Sequence, residues 1–374
     1  MGPISAIGGN GGTGSAIGLG GTGGEFLIST PGNIALGGAI NAYGGLDGAG
    51  ITRTCCGLID IVAGGAVTQA QTAALTTDSL VAAGTDVKLD LTNTVKSLQG
   101  SASNGNFTFN NSGNLELEGV SASRLASISA TGNITGSRSA AGLPLAGIST
   151  SGSPLGNAVQ GGTGVTLNAG GAIGSTAAPL AVAAPALAAS AAYGIAIDLN
   201  AFGPTPAVVN TLTTTTGDIL FNAHGGTTIT SLVSSPGNVT INSFGPLDVQ
   251  QGITAGSGIF LSTAGPSLGS TLPNDMTLNG PFTYSTATGA FEVTIGAFGT
   301  LHLVASGLGL TAPLFPNQLN ITKFTFVSGD PLANTIVAAA YNTTAASGSL
   351  VTRVVEEAPT KDKRDDKKAA AICK

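Results

Sequence analysis

The chain of 374 residues has no tryptophan and little charge, and these shortages exclude whole classes of function. Charged residues make up 9% of the chain, and the part before Glu356 holds seven basic and fourteen acidic side chains. A surface so poor in basic groups has no electrostatic footprint for a phosphate backbone, so we expect no nucleic-acid partner. Hydrophobic residues at 42% nevertheless supply enough apolar surface for a folded core.

The residues that bind metals or form disulfide frameworks are also scarce. Cys55, Cys56 and Cys373 lack the spacing of a metal site, and His224 and His302 stand alone. Three cysteines are too few to staple the fold, and adjacent cysteines bond to each other only with strain. The sequence therefore predicts no metal ligand and no cofactor.

Carboxylates in the second half of the chain are single and scattered. Enzymes that act on polysaccharides need carboxylates clustered on adjacent structural units for acid–base chemistry. The scattered acids therefore favour a protein that is not an enzyme and has no catalytic residue. The acids in question are Asp218, Asp248, Asp275 and Glu292.

What the chain does have is a repeat. The stretch GDILFNAHGG at 217–226 is followed 20 residues later by GNVTINSFGP at 237–246 and then by SGIFLSTAGP at 257–266. Apolar residues alternate with polar ones, which indicates short strands with one buried face. A Gly-Asn or Gly-Asp pair before each strand indicates a tight turn that needs positive backbone angles. Asp218 and His224 change identity from copy to copy, so we assign Asp218 to a turn and His224 to a solvated outer face.

Similar units occur from residue 32 onward, as GNIAL, GNFTF at 105, GNLEL at 113 and TGVTL at 163. A short strand cannot bury its apolar face alone, whereas stacked copies can. A period near 20 without helical signals predicts an all-β, parallel β-helix (solenoid) of either hand. A propeller is the structural alternative, but its blades need 40 to 50 residues and periodic aromatics.

The composition divides the chain into five segments. We expect a Gly-rich flexible start at 1–30, irregular repeats at 31–175, an Ala/Pro-rich insertion at 176–207, regular repeats at 208–345 and a charged disordered tail at 346–374. Residues 177–197 carry no charge, but Pro179 and Pro185 interrupt them and favour a loop over a membrane span.

The units GNIALGGAINA, TGVTLNAGGAIGS, TGDILFNAHGG and PGNVTINSFG resemble the repeats of filamentous haemagglutinin-like adhesins, over most of residues 31–310. The resemblance implies a right-handed parallel β-helix, two-partner secretion through an outer-membrane pore, and contact with receptors or glycans on host or neighbouring cells. The signal peptide and secretion domain of that family have no counterpart before Gly32, so we expect a carboxy-terminal part of such an adhesin, secreted or on the cell surface. The alternatives are a polysaccharide-acting solenoid enzyme and a non-functional fragment.

Overall fold

The computed structural model describes residues 4–11, 19–50, 56–137, 159–200, 205–231, 233–263, 275–280, 284–286, 290–295, 301–305, 323–328 and 352–354. All regular secondary structure in these ranges is β-strand, and none of these residues lies in a helix that could cross a membrane. The strands are β1 (Ile4–Ser5), β2 (Glu25–Thr30), β3 (Ile34–Leu36), β4 (Ile40–Ala42), β5 (Leu58–Ala63), β6 (Val67–Gln69), β7 (Leu75–Gly84), β8 (Val87–Ala102), β9 (Phe107–Asn111), β10 (Leu115–Ala122), β11 (Leu125–Ala130), β12 (Ile134–Gly136), β13 (Val159–Gly161), β14 (Gly164–Ala169), β15 (Leu180–Ala183), β16 (Ala186–Ala191), β17 (Ile195–Asn200), β18 (Ala207–Thr214), β19 (Ile219–His224), β20 (Thr227–Ile229), β21 (Val233–Ser235), β22 (Val239–Ser243), β23 (Leu247–Val249), β24 (Ile253–Ala255), β25 (Ile259–Ser262), β26 (Met276–Gly280), β27 (Tyr284–Thr286), β28 (Ala290–Ile295), β29 (Leu301–Ala305), β30 (Lys323–Ser328) and β31 (Thr352–Val354).

These strands stack as the coils of a parallel β-solenoid, with about 21 residues in each coil. One stack, sheet 1, includes β15, β17, β19, β22, β25 and β28, each paired in parallel with the next. The other stack, sheet 2, includes β9, β11, β14, β16 and β18 in the same arrangement. The chain passes from one sheet to the other within each coil, which confirms the predicted fold class.

The core is a set of apolar columns between the sheets. Ile219 pairs with Val239, and Val239 pairs with Ile259, so residues 20 apart occupy one column. Beside them Phe221 and Ile241 are fully buried, while the residues between them in each strand face outward. The alternation of apolar and polar residues in the sequence therefore corresponds to inward and outward positions.

In the regular part of the chain, each coil has three strands. β18 is a single strand of sheet 2, but its partners one coil later are the separate strands β20 and β21. The next coil repeats the division with β23 and β24. Inward residues flank the break on both sides, so the core continues around this corner.

The structure corrects two of the predicted segments. Residues 4–11 and 19–30, expected to be flexible, contain β1 and β2, which pair with β4 and β5. The expected insertion at 176–207 contains β15, β16 and β17, which are ordinary strands of the stack. Leu180, Val182 and Leu187 are fully buried there, and Ala189 fills an inward position between larger side chains. Apart from β31, the predicted tail at 346–374 lies outside the described residues.

Candidate functional surface

The turns between coils are joined by a side-chain hydrogen bond that recurs along the stack. The Oδ1 atom of a turn Asn or Asp accepts the backbone N–H of the turn one coil further on. We call this series the turn ladder. Its described acceptor–donor pairs are Asn33 with Ala66, Asp86 with Asn106, Asn106 with Leu125, Asn114 with Asn133, Asn133 with Ala172, and Asp218 with Asn238, at N···O distances of 2.7–3.2 Å.

The glycine of the Gly-Asn pair leaves room for this bond. In most rungs a glycine directly precedes the donor residue, and a Cβ at that glycine would collide with the accepting side chain. The colliding pairs are Gly65 with Asn33, Gly105 with Asp86, Gly132 with Asn114, Gly171 with Asn133, and Gly237 with Asp218. A positive φ occurs at Gly113 and Gly217 but at no described Asn or Asp. The expected backbone reason for the pair is therefore wrong at most rungs, where the reason is space between coils.

We predict that Asn33 and Gly65 are energetically coupled. Asn33→Ala removes one hydrogen bond and should lower the free energy of unfolding by about 0.5–1.5 kcal/mol. Gly65→Ala should lower it by about 1–3 kcal/mol because its new methyl group overpacks the turn. Urea denaturation followed by circular dichroism measures both values.

The double variant Asn33→Ala/Gly65→Ala supplies the control. With the amide gone, the methyl group has room, so the double variant should be more stable than the sum of the two losses implies. Strictly additive losses would contradict the steric role of the glycine.

The carboxylates expected to be non-catalytic occupy separate positions. Asp218 accepts from the Asn238 N–H at 2.7 Å, which confirms its place in a turn. Asp248 lies on sheet 2 and accepts from Gln250 Nε2 at 2.9 Å. Glu292 is in register with Phe260 on sheet 1. These three acids are not brought together, and the described residues contain no group of three metal-binding side chains.

The outward face of sheet 1 carries a second polar ladder. Asn222 Nδ2 donates to Asp198 Oδ1 at 2.7 Å, and Asn242 Nδ2 donates to Asn222 Oδ1 at 2.8 Å. Beside it the exposed ring of His224 lies 4.8 Å from the ring of Phe244 in the next coil. His224 is thus on the outer face, as predicted, but it also contacts a neighbouring ring. The side chain of His302 lies outside the described residues.

Two aspartates near the start of the stack differ in their environments. Asp60 faces outward between Leu27 and Val81, and its Oδ1 atom is buried with no hydrogen-bond partner. Burial raises the pKa of this carboxyl, and the nearby Glu25 raises it further. At Asp78 burial opposes ionisation as well, but a salt bridge with Lys96 and the N–H groups of Gly57 and Cys56 outweigh it and lower the pKa.

Asp78 also holds the segment that contains a disulfide. Cys56 is disulfide-bonded, and its partner cysteine lies outside the described residues. Its φ of 88° is unusual for a residue other than glycine. The next residue, Gly57, donates its N–H to Asp78 Oδ2 at 3.1 Å and accepts from Thr77 Oγ1 at 2.8 Å. The expectation that no disulfide supports the fold is therefore wrong at Cys56.

We predict opposite pH responses for these two carboxyls. The pKa of Asp78 is lowered, so its stabilising effect is complete above the model value of 3.8 and disappears as the pH falls through the folded pKa. Asp78→Asn should therefore unfold at lower temperature than the wild type at neutral pH. The pKa of Asp60 is raised, so its ionisation opposes folding as the pH rises above 3.8. Asp60→Asn should unfold at higher temperature at neutral pH.

Melting curves from pH 2.5 to 7 check both signs, and each variant is the control for the other. Both differences from the wild type should shrink towards acid pH. A difference that stays constant across this range would show that ionisation is not its cause.

The outward face of sheet 2 forms an open groove. Asn110, Ser129, Asn168, Ser190 and Thr213 stand in one column across five successive coils. The groove they line has a volume of about 810 Å³. We call it the polar groove. Sequence reasoning missed it because Ser129 and Asn168 are 39 residues apart, so the constant interval of 20 does not align them.

Comparison with known protein families, with curated proteins and with solved structures finds no match to this chain. The class that the structure defines is therefore a parallel β-solenoid built from repeats. The likeness to filamentous haemagglutinin-like adhesins depends on the repeat residues alone.

Proposed function

We propose that this chain is a non-catalytic segment of a cell-surface or secreted adhesin. It acts as a β-helical stalk that contacts receptors or glycans on host or neighbouring cells. The observation that carries the proposal is the continuous stack of coils with its apolar columns inside and long, mostly uncharged faces outside. Such faces offer the same kind of contact repeatedly along one axis, which suits many weak contacts acting together.

The architecture also suits export through an outer-membrane pore, as the resemblance implies. Each coil pairs only with its immediate neighbours, so folding can begin at one end and spread along the stack. A chain of this kind can add coils in order as it leaves a narrow channel. Secretion by a two-partner route and residence at the outer membrane are parts of the proposal.

The enzymatic alternative has less support. Acid–base cleavage of a polysaccharide needs two carboxyl groups on either side of the scissile bond. Asp218 belongs to the turn ladder, while Asp248 and Glu292 lie on different sheets. No pair of these three carboxylates is placed for that reaction.

Adhesion of protein-coated beads tests the proposed function. Beads carrying the full chain should stay attached under flow to layers of epithelial or bacterial cells, in larger numbers than beads coated with albumin. Ile241→Asp supplies the matched control because it buries a charge in the core and should unfold the stack. Beads carrying this variant should detach like the albumin beads.

Two outcomes would refute the proposal. One is attachment no greater than that of albumin beads on every cell layer tested. The other is release of reducing sugars from a polysaccharide by the purified chain, abolished by a single carboxylate substitution, which would establish the enzymatic alternative.

A further inference from the structure

The polar groove has a chemistry that restricts what it can bind. Its lining consists of uncharged residues, mainly Asn, Ser and Thr with Ala and one Gly. Without cationic side chains the groove does not attract phosphate or sulfate groups, and without acidic ones it does not attract cations. No aromatic or large aliphatic side chain lines it, so an apolar ligand would find little surface to bury. Only a neutral, polar ligand matches this lining.

The column also offers hydrogen-bonding groups for such a ligand. Asn110 donates to the Asp90 carbonyl at 2.6 Å, and the hydroxyls of Ser190 and Thr213 lie 3.2 Å apart. Between these two ends, the side chains of Ser129 and Asn168 form no hydrogen bond with another described residue. Hydroxyl and amide groups both donate and accept, as the hydroxyls of a sugar do.

The shape of the groove favours a chain over a small molecule. Successive coils are about 4.8 Å apart, so five of them span about 19 Å along the solenoid axis. The corner that borders the column is built from small residues, including Gly170 and Ala192. A Cβ at Gly170 would collide with the Thr131 carbonyl of the preceding coil, so this border remains low.

We propose that the polar groove binds an uncharged polysaccharide, with the glycan chain lying along the solenoid axis. The proposal rests on the adhesin function and gives it a ligand class. Asn110, Ser129, Asn168, Ser190 and Thr213 supply the hydrogen bonds. Because no aromatic ring stacks on the sugars, each groove binds weakly, with a Kd of about 1 mM.

Calorimetric titration of the full chain with neutral hexasaccharides tests this inference. The probes are hexamers of β1,4-glucose, β1,3-glucose, α1,4-glucose, β1,4-mannose and β1,4-N-acetylglucosamine, with a sulfated heparin hexasaccharide as the charged control. At least one neutral probe should bind, and heparin should not. Ser129→Arg places a long side chain across the centre of the column and should weaken binding at least about tenfold.

Ser121→Arg is the matched control. Ser121 and Ser129 are half-buried, outward serines of the same coil, but Ser121 lies on sheet 1. Ser121→Arg should change the Kd by less than about twofold. Circular dichroism melting shows whether both variants keep the fold, and Ser129→Ala, which removes only the hydroxyl, replaces Ser129→Arg if the larger residue unfolds the chain.

Three results would overturn the inference: no binding of any neutral probe at about 10 mM, binding of the sulfated probe alone, or equal binding by the wild type and the Ser129 variant. The bead assay separates this failure from failure of the adhesin function. If Ser129→Arg beads attach to cells as the wild type does, the groove is not the contact surface but adhesion stands. If a hexasaccharide binds while coated beads never attach, adhesion fails and the groove stands.

Discussion

Contact between one coil and the next is the interaction on which the rest of this structure depends. No strand of five or six residues buries its own apolar face, so each coil is stable only against its neighbours. Backbone pairing and apolar columns supply most of that contact. The turn ladder adds a specific element, because Asn114 Oδ1 binds the N–H of Asn133 while Gly132 leaves space for the amide. One dipeptide thus reaches forward to the next coil and makes room for the previous one.

This division of labour leaves the outward positions open to change. Inward positions such as Phe221 and Ile241 must fit the column, and the turn residues must fit the ladder. The residues between them meet only solvent or their neighbours along the column. Sheet 1 uses this freedom for the amide ladder from Asp198 to Asn242, and sheet 2 uses it for the polar groove. A stalk with variable faces on a constant core is well suited to an adhesive role.

The sequence predicted the fold where the repeat interval is constant and the alternation is strong. Ile219, Val239 and Ile259 were aligned correctly because each is apolar between polar neighbours. Prediction was wrong at 176–207, where Ala188 faces outward and Ala189 inward, so one residue type fills both positions and hides the period of two. The groove escaped prediction for another reason. Residues inserted between Ser129 and Asn168 change the interval, and only the observed pairing restores the column.

Cross-linking across coils is the most direct test of the stacked register. Parallel neighbours lie about 4.8 Å apart, within the range that a disulfide spans. Leu220 and Thr240 face outward in register, whereas Asn222 is offset from Thr240 by two residues. Oxidation followed by peptide mass spectrometry should detect a cross-link in Leu220→Cys/Thr240→Cys and little in Asn222→Cys/Thr240→Cys. A cross-link in the offset pair alone, or in neither pair of the folded protein, would contradict this stacking of coils.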